Sequence, residues 1–289
     1  MSLSETELLP ATWWQWLVHN VNRGCADESL LADMTKGGFS QELAHRALMA
    51  ARGKPVLPVE VAEVELPYLE ASGVEIHLNG HTVRLRMSME RPQVVLLDHV
   101  LTPAECDLLI ELGRATVKPS SVVDPSSGAS VAHHARSGQH AFLTMAHPGL
   151  AAIEARLSQL LHWPVERFEH LQAIGYGPGD EYRPHFDWFD PQHQGSASHL
   201  VRAGQRVGTL VMYLKSPASG GATGFPSIGG LRVHPLQGSA VWFRDVDALG
   251  RPDVLTLHAG DPVQSGTKWI ATAWLRERPW RTAVVSSPP

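Results

Sequence analysis

Two hydrophobic periodicities divide the chain. Over residues 12–52 apolar side chains recur at helical spacing, as in WWQWLVHNVNRG, and Gly24 marks the end of that first helix. The helical pattern breaks at a glycine pair, residues 37 and 38, and resumes after Ser40, a residue type suited to an N-cap. The pattern predicts a small N-terminal helical domain, residues 1–55.

The periodicity changes after a proline-rich run. GKPVLPVEVAEVELPYLEASG carries three prolines and predicts an extended linker, residues 56–73. Apolar and polar residues then alternate around Asn79-Gly80, a pair typical of tight β-hairpin turns. Thr102 and Glu105 have the spacing of a capping box at a helix start, and HPGLAAIEARLSQLL predicts a second amphipathic helix.

Short strand-like runs dominate from His170 to Leu275, separated by glycine, proline and aspartate turns. Many short strands behind two helices predict a mostly β domain with flanking helices, residues 74–289. The expected core is a double-stranded β-helix of the jelly-roll or cupin-like class. The runs are HLQAIGY, RVGTLVMYL, GLRVHP, SAVWFRD, DVLTLHAG and KWIATAWL.

Charge and composition limit the classes of binding partner that are expected for this protein. A net charge of -5 supplies no basic field, so nucleic acid is not expected. No apolar stretch reaches the length of a membrane span, so no membrane partner is expected either. The two cysteines, Cys25 and Cys106, fit neither a disulfide framework nor a thiolate cluster, which favours a reducing, cytoplasmic location. The N-terminal helices are interpreted as a packing unit or as a docking element for a partner.

The stretch EYRPHFDWFD carries the first chemical signal. His185 and Asp187 are two residues apart, so on an extended strand they point to one face. His-x-Asp alone is weak, since roughly one is expected by chance in such a chain. His258 offers a third donor, and two histidines with one carboxylate suit ferrous iron with open coordination positions. His234 is a less favoured third ligand, and Asp190 is read as a turn residue.

A lysine follows the last of these histidines. Lys268 lies ten residues after His258, at the head of the apolar run KWIATAWL. A lysine inside a barrel requires an anionic partner, and an anionic cosubstrate would supply one; the alternative is a surface residue at a strand start. Tyr176 and Thr209 could add neutral hydrogen bonds to the same anion.

Three longer segments occur in order: AIGYGPGDEYRPHFDWFD, GQRVGTLVMYLKSPASGGATGFP and GSAVWFRDVDALGRPDVLTLHAGDPVQSGTKWIATAWLRE. Together they resemble the catalytic domain of the prolyl 4-hydroxylase branch of the iron(II)- and 2-oxoglutarate-dependent oxygenases. The resemblance extends from about Pro92 to Glu277. It implies iron ligands His185, Asp187 and His258, with Lys268 on the distal carboxylate of 2-oxoglutarate and Tyr176 and Thr209 assisting.

The resemblance also implies a reaction and substrate contacts. Tyr182 and Trp274 match aromatic positions of the peptide groove, and Arg136 lies in HARSGQ, similar to a substrate-proximal Arg-x-Ser strand. The expected chemistry is hydroxylation of an unactivated carbon with Fe(II), 2-oxoglutarate and O2, releasing succinate and CO2, with ascorbate as a reductant. The expected target is a prolyl or other residue of a peptide or protein. A free amino acid or small metabolite is the alternative, and a catalytically idle binding module is the rival class.

Three departures from the family pattern fall in segments that are expected to recognise the substrate. Ala222 stands where the family usually has glutamate before Phe-Pro, and an extra glycine follows. Asp261 replaces the cysteine of secreted members, and the insert at residues 190–205 is longer and more polar than a plain hairpin. The iron and cosubstrate positions are unaffected.

Overall fold

The computed structural model describes residues 9–53, 64–70, 73–116, 118–119, 121–123, 130–132 and 138–281. The chain divides into two compact units between Ala62 and Glu63. Most of the predicted linker, residues 56–73, lies outside the described residues, and its extended form stays a prediction. No helix in the described ranges has the length and apolar character to cross a membrane.

The first unit contains three helices, α1 (Ala11–Asn22), α2 (Asp27–Lys36) and α3 (Gln41–Ala51). Their apolar faces meet in one small core. Ser40 caps α3 as predicted, since its hydroxyl accepts a hydrogen bond from the Leu43 amide at 3.2 Å. At Gly37 an added Cβ would lie 2.5 Å from the Trp13 ring, so glycine lets the end of α2 pack against that indole.

The second unit is mostly antiparallel sheet with three helices in its described part. The helices are α4 (Pro103–Thr116), α5 (Pro148–Leu160) and α6 (Ala197–Ala203). The strands are β1 (Glu75–Leu78), β2 (His81–Met89), β3 (Val94–Asp98), β4 (Lys118–Pro119), β5 (Ser121–Val123), β6 (Ser130–Ala132), β7 (Gln139–Phe142), β8 (Gln172–Tyr176), β9 (Tyr182–His185), β10 (Arg206–Lys215), β11 (Ser219–Gly220), β12 (Thr223–Phe225), β13 (Leu231–Val233), β14 (Ala240–Phe243), β15 (His258–Gly260), β16 (Val263–Ser265) and β17 (Lys268–Arg276).

Two principal sheets build this unit. The larger has nine strands in the order β1-β2-β3-β14-β10-β17-β8-β7-β4, and the smaller has four in the order β13-β12-β15-β9. Short pairs β11-β16 and β5-β6 complete the described strands. The mostly β class with flanking helices is confirmed.

Strand β10 shows how the sequence builds two cores. Its side chains are buried from Val207 to Leu214 because both faces of the large sheet are covered. Leu210 and Met212 join the core formed with α4 and α5. Val211 and Tyr213 join a second core with residues of the small sheet. Since alternate residues of a strand face opposite sides, one continuous apolar run serves both layers.

Local predictions hold where short-range signals are strong. The Asn79-Gly80 turn joins β1 and β2, with Leu78 opposite His81. The capping box forms: Glu105 accepts from the Thr102 amide at 2.8 Å, and the Glu105 amide donates to the Thr102 hydroxyl at 3.3 Å.

Two local expectations need correction. The run DVLTLHAG is not one strand, because Asp253 caps a turn by accepting from the Leu255 amide at 2.9 Å, and β15 starts only at His258. The insert at residues 190–205 contains α6, which was not predicted. In both places polar side chains offer the backbone partners that compete with a strand ladder.

Candidate metal centre

The two histidines of the candidate centre lie on neighbouring strands of the small sheet. Strand β9 ends at His185 and β15 begins at His258, and these two residues are paired across the sheet. Asp187 follows two residues after the end of β9 and is 6 % exposed. The sheet register therefore brings together residues that are more than seventy positions apart in the chain.

Three ligand-type atoms converge here. One donor atom from each of His185, Asp187 and His258 lies within 4.8 Å of the others. His185 Nε2 is 3.7 Å from Asp187 Oδ1, and His258 Nε2 is 3.6 Å from Asp187 Oδ2. Two imidazoles and one carboxylate at this spacing can hold one divalent cation and leave other coordination positions open.

Main-chain carbonyls set the tautomer of both rings. His185 Nδ1 lies 2.9 Å from the Arg183 carbonyl oxygen, and His258 Nδ1 lies 3.0 Å from that of Thr256. A carbonyl only accepts, so each Nδ1 carries the hydrogen and donates. In a neutral ring this leaves the Nε2 lone pair directed toward Asp187, which is the form that binds a metal.

The carboxylate is held in its charged form. Burial acts to raise the pKa of Asp187, but in the metal-free protein the positive charges of protonated His258 and His185 and of Arg206 outweigh burial and lower that pKa below its ordinary value. The buried indole N–H of Trp274 also lowers it, without meeting the geometry of a full hydrogen bond. A metal ligand must be deprotonated, and Asp187 meets that requirement at neutral pH.

A cavity lies against this cluster and extends along β17. Alternate residues of that strand line it: Lys268, Ile270, Thr272 and Trp274. His185, Asp187 and His258 belong to the same lining. Since alternate strand residues share a face, the lysine and the tryptophan mark two positions along one wall of the cavity.

The Lys268 side chain places a positively charged ammonium group on this wall of the cavity. It is 3 % exposed, and burial lowers its pKa from 10.5 to about 8 despite the nearby Asp261. Its ammonium lies 5.4 Å from the ring centroid of Tyr176 and 5.9 Å from that of Tyr213. A Cβ at Gly221 would lie 3.1 Å from the lysine Cδ, so the glycine gives the stem room. An anion in the cavity would therefore meet a largely desolvated positive charge.

Thr209 lies elsewhere than the sequence suggested. It faces Trp274 across the β10-β17 ladder, six residues along from Lys268, or about 20 Å at strand spacing. Its hydroxyl is 2.9 Å from Asp187 Oδ2 and 2.8 Å from Asp245 Oδ2, and it is not part of the cavity lining. Two other threonines, Thr223 and Thr272, do line the cavity, and Thr223 accepts a hydrogen bond from the Tyr213 hydroxyl at 2.7 Å.

Similarity to known proteins agrees with this geometry. A model of the 2OG-Fe(II) oxygenase superfamily matches residues 171–276, which contain the whole cluster and Lys268. Prolyl 4-hydroxylase 1 of Arabidopsis thaliana is 35 % identical over 202 residues, covering 65 % of this chain and 70 % of that protein. The chain belongs to the 2OG-Fe(II) oxygenase superfamily, in its prolyl 4-hydroxylase-like branch.

Other relatives match a similar share of this oxygenase. Human prolyl 4-hydroxylase subunit alpha-1 is 31 % identical over 190 residues, which are 65 % of this chain and 35 % of that subunit. The oxygenase thus spans about a third of the alpha-1 subunits. A viral collagen prolyl hydroxylase from Paramecium Bursaria Chlorella virus-1, solved as a 2OG complex, is 28 % identical with a TM-score of 0.49, covering 63 % of this chain and 95 % of that structure. Membership of this family implies iron(II) as the metal cofactor, with 2-oxoglutarate and O2 as cosubstrates.

Two of the three residues expected to contact substrate lie in the described part of the oxygenase. Tyr182 and Trp274 both line the cavity, and the Tyr182 ring stacks on His185 with centroids 3.6 Å apart. Arg136 lies outside the described residues. His234, the less favoured third ligand, is exposed and outside the cluster. Asp190, interpreted as a turn residue, accepts a hydrogen bond from the Gln192 amide at 2.8 Å.

A buried ionic network beside the oxygenase centre escaped the sequence analysis. Glu169 accepts from Arg206 at 2.8 Å and from Arg276 at 2.9 Å, and Arg206 also donates to the Asp187 carbonyl at 3.3 Å. Burial acts to raise the pKa of Glu169, but the two arginines lower it. The Arg206 guanidinium stacks 4.0 Å from the Trp274 ring centroid. The one available signal was an arginine at the start of an apolar strand, which needs a buried partner.

Proposed function

We propose that this protein is an Fe(II)- and 2-oxoglutarate-dependent dioxygenase that hydroxylates a prolyl residue of a peptide or protein and releases succinate and CO2. The relatives named as prolyl 4-hydroxylases support the residue type. Ascorbate is proposed as the reductant that sustains turnover, and a reducing compartment is proposed because both cysteines are free.

One observation carries the proposal. The donor atoms of His185, Asp187 and His258 converge within 4.8 Å at a cavity that also contains the buried ammonium of Lys268. We assign the three converging residues as iron ligands and Lys268 as the residue that binds the distal carboxylate of 2-oxoglutarate. A cation site and an anion site sharing one cavity match the two ends of a chelating dicarboxylate cosubstrate.

When bound, iron(II) and 2-oxoglutarate would activate O2, which would oxidise both the substrate carbon and 2-oxoglutarate. The chain's own residues bind and orient the reactants. The carbonyl-bound rings of His185 and His258 present fixed Nε2 atoms, and Lys268 pairs with the cosubstrate carboxylate. Tyr182 and Trp274, which line the cavity, are proposed to contact the substrate and shield the reacting carbon from water.

The test is a panel of proline-containing peptides incubated with Fe(II), 2-oxoglutarate, ascorbate and O2, with peptides scored for a gain of one oxygen and succinate measured in parallel. His185→Ala should lose both products. His193→Ala is the matched control, since His193 is an exposed histidine that pairs with Asp190. Equal succinate from the His185 variant and the wild type would refute the ligand assignment.

A small-molecule hydroxylase remains the second candidate, favoured by the departures at Ala222 and in the insert. That insert is firmly anchored: Arg276 donates to the carbonyls of His199 and Gly204, and Gln205 exchanges two 2.7 Å hydrogen bonds with the Phe189 main chain. A panel of free amino acids and metabolites separates the candidates. Oxygen gain in these compounds alone would remove the peptide from the proposal, and absence of succinate in every reaction would favour the binding module.

A further inference from the structure

Two polar side chains are buried beside Asp187 and do not line the cavity. Thr209 and Asp245 are both 0 % exposed, on β10 and just after β14. The Thr209 hydroxyl lies between two carboxyl groups, 2.9 Å from Asp187 Oδ2 and 2.8 Å from Asp245 Oδ2. The reaction assigned above uses neither side chain directly, so their burial requires another explanation.

The hydrogen atoms available between the Asp245 carboxyl, the Thr209 hydroxyl and the Asp187 carboxyl can be counted. A hydroxyl has one hydrogen and donates once, so two carboxyl oxygens at hydrogen-bond distance require a second hydrogen from one of the acids. Asp187 must be a carboxylate to bind a cation. The direction is therefore fixed: Asp245 donates to Thr209, and Thr209 donates to Asp187.

Two further observations agree with a protonated Asp245. Burial, and then the charge of Asp187, raise the pKa of Asp245 well above its ordinary value. Its second oxygen, Oδ1, makes no hydrogen bond within the described part of the chain. A buried oxygen without a partner costs far less on a neutral acid than on an anion.

The backbone holds Asp245 in place. Its amide donates to the Val207 carbonyl at 3.2 Å, and its own carbonyl accepts from the Asp253 amide at 3.0 Å. Asp253 opens the turn that leads into β15 and His258. Asp245 is thereby tied both to β10 and to the segment that carries a proposed ligand.

We propose that Asp245 is a positioning residue of the metal centre, which acts through Thr209 to aim the Asp187 carboxylate at the cation shared with the two histidines. This inference rests on the proposed function in taking Asp187 as a ligand. Groups that hydrogen-bond to metal ligands typically change metal affinity by roughly 10- to 100-fold when removed.

The test compares an amide with a methyl group at residue 245. Full-length wild type, Asp245→Asn and Asp245→Ala are titrated calorimetrically with Mn(II) as a redox-stable probe, without 2-oxoglutarate or substrate. Asp245→Ala should bind roughly 10- to 100-fold more weakly. Asp245→Asn should stay within about threefold of wild type, because its amide N–H donates in the same direction as the acid.

A second pair of variants tests the intermediate group. Thr209→Val should lose as much affinity as Asp245→Ala, and Thr209→Ser should retain it. The double variant Asp245→Ala/Thr209→Val should bind no more weakly than Thr209→Val alone, because the two residues act in one line. Asp247→Ala is the control for the segment after β14, since Asp247 pairs with Arg251 outside the cavity lining. Thermal unfolding without metal checks that each variant is folded.

If Asp245→Ala bound Mn(II) as tightly as wild type, the inference would be overturned. The same would follow if Asp245→Asn bound Mn(II) as weakly as Asp245→Ala. If Asp245→Ala does not fold, the Thr209→Val and Thr209→Ser pair decides in the same way, with equal affinities counting against the inference. Failure of the wild type itself to bind Mn(II) would instead refute the metal centre and this inference with it.

Discussion

Replacing Lys268 with methionine should stabilise the protein while it removes cosubstrate binding. Lys268 is 3 % exposed, and within the described residues its ammonium makes no ion pair. The nearby Asp261 is itself paired with Arg232 at 2.7 Å. Without an anion in the cavity, the protein therefore buries a positive charge that lacks a close partner.

The pKa of Lys268 gives the magnitude. Burial lowers it from 10.5 to about 8, and at about 1.36 kcal/mol per pKa unit the charged form costs at most about 3 kcal/mol below pH 8. The unfolded chain keeps this proton up to its ordinary pKa, whereas the folded chain releases it near pH 8. The unfolded state binds more protons between these values, so wild-type stability rises with pH across that window.

The assay is urea unfolding of metal-free and cosubstrate-free protein at pH 7 and pH 10. Lys268→Met should exceed wild type by about 2 to 3 kcal/mol at pH 7, and most of this gap should vanish by pH 10. Lys215→Met is the control, because Lys215 is an exposed lysine at the end of β10. Lys268→Met should also bind 2-oxoglutarate at least roughly 30-fold more weakly than wild type, which corresponds to about 2 kcal/mol for a shielded charge pair.

Two results would refute this reasoning. A Lys268→Met protein less stable than wild type at pH 7 would mean that the ammonium has a compensating partner in the folded chain. A stability gap that is the same at pH 7 and pH 10 would mean that packing of the methionine, and not loss of the charge, causes the difference.

Three further outcomes are expected. His258→Ala should abolish Mn(II) binding measured by calorimetry, whereas the exposed His234→Ala should leave it unchanged. The affinity of wild type for 2-oxoglutarate should be constant below about pH 8 and fall above it as Lys268 loses its proton; an affinity constant to pH 9.5 would contradict the pairing. Glu169→Gln should lower the free energy of unfolding in urea by about 3 to 5 kcal/mol, because two buried arginines lose their counter-charge, and a loss below about 1 kcal/mol would contradict this.

The sequence was most informative where signals were local. The Asn79-Gly80 turn and the cap at Thr102 depend on a few adjacent residues, and both form as expected. The proximity of His185 and Asp187 was also readable, since two positions on an extended chain share a face. The proximity of His258 depends on the pairing of β15 with β9, and no local pattern encodes which strands become neighbours.

Thr209 marks the limit of that reasoning. Strand alternation puts it on the same face of β10 as Val211 and Tyr213, which is the face toward the small sheet. Its position along the strand depends on the β10-β17 register, which sets it opposite Trp274 and far from Lys268. Asp245 was missed for a similar reason: a single acid at the end of an apolar strand has no meaning until its three-dimensional neighbours are known.

The buried charges also predict how the two reactants bind. In the absence of cation, the charges of Arg206 and Arg276 offset those of Glu169 and Asp187, and Asp245, which we infer to be protonated, adds no charge. A divalent cation held by neutral histidines therefore introduces an uncompensated double positive charge, close to the cavity that contains Lys268. A 2-oxoglutarate dianion offsets that excess, and coupling between two ligands is reciprocal. Mn(II) affinity should therefore rise when 2-oxoglutarate is present, and equal Mn(II) affinities with and without it would show that the charges of the cavity are screened from one another.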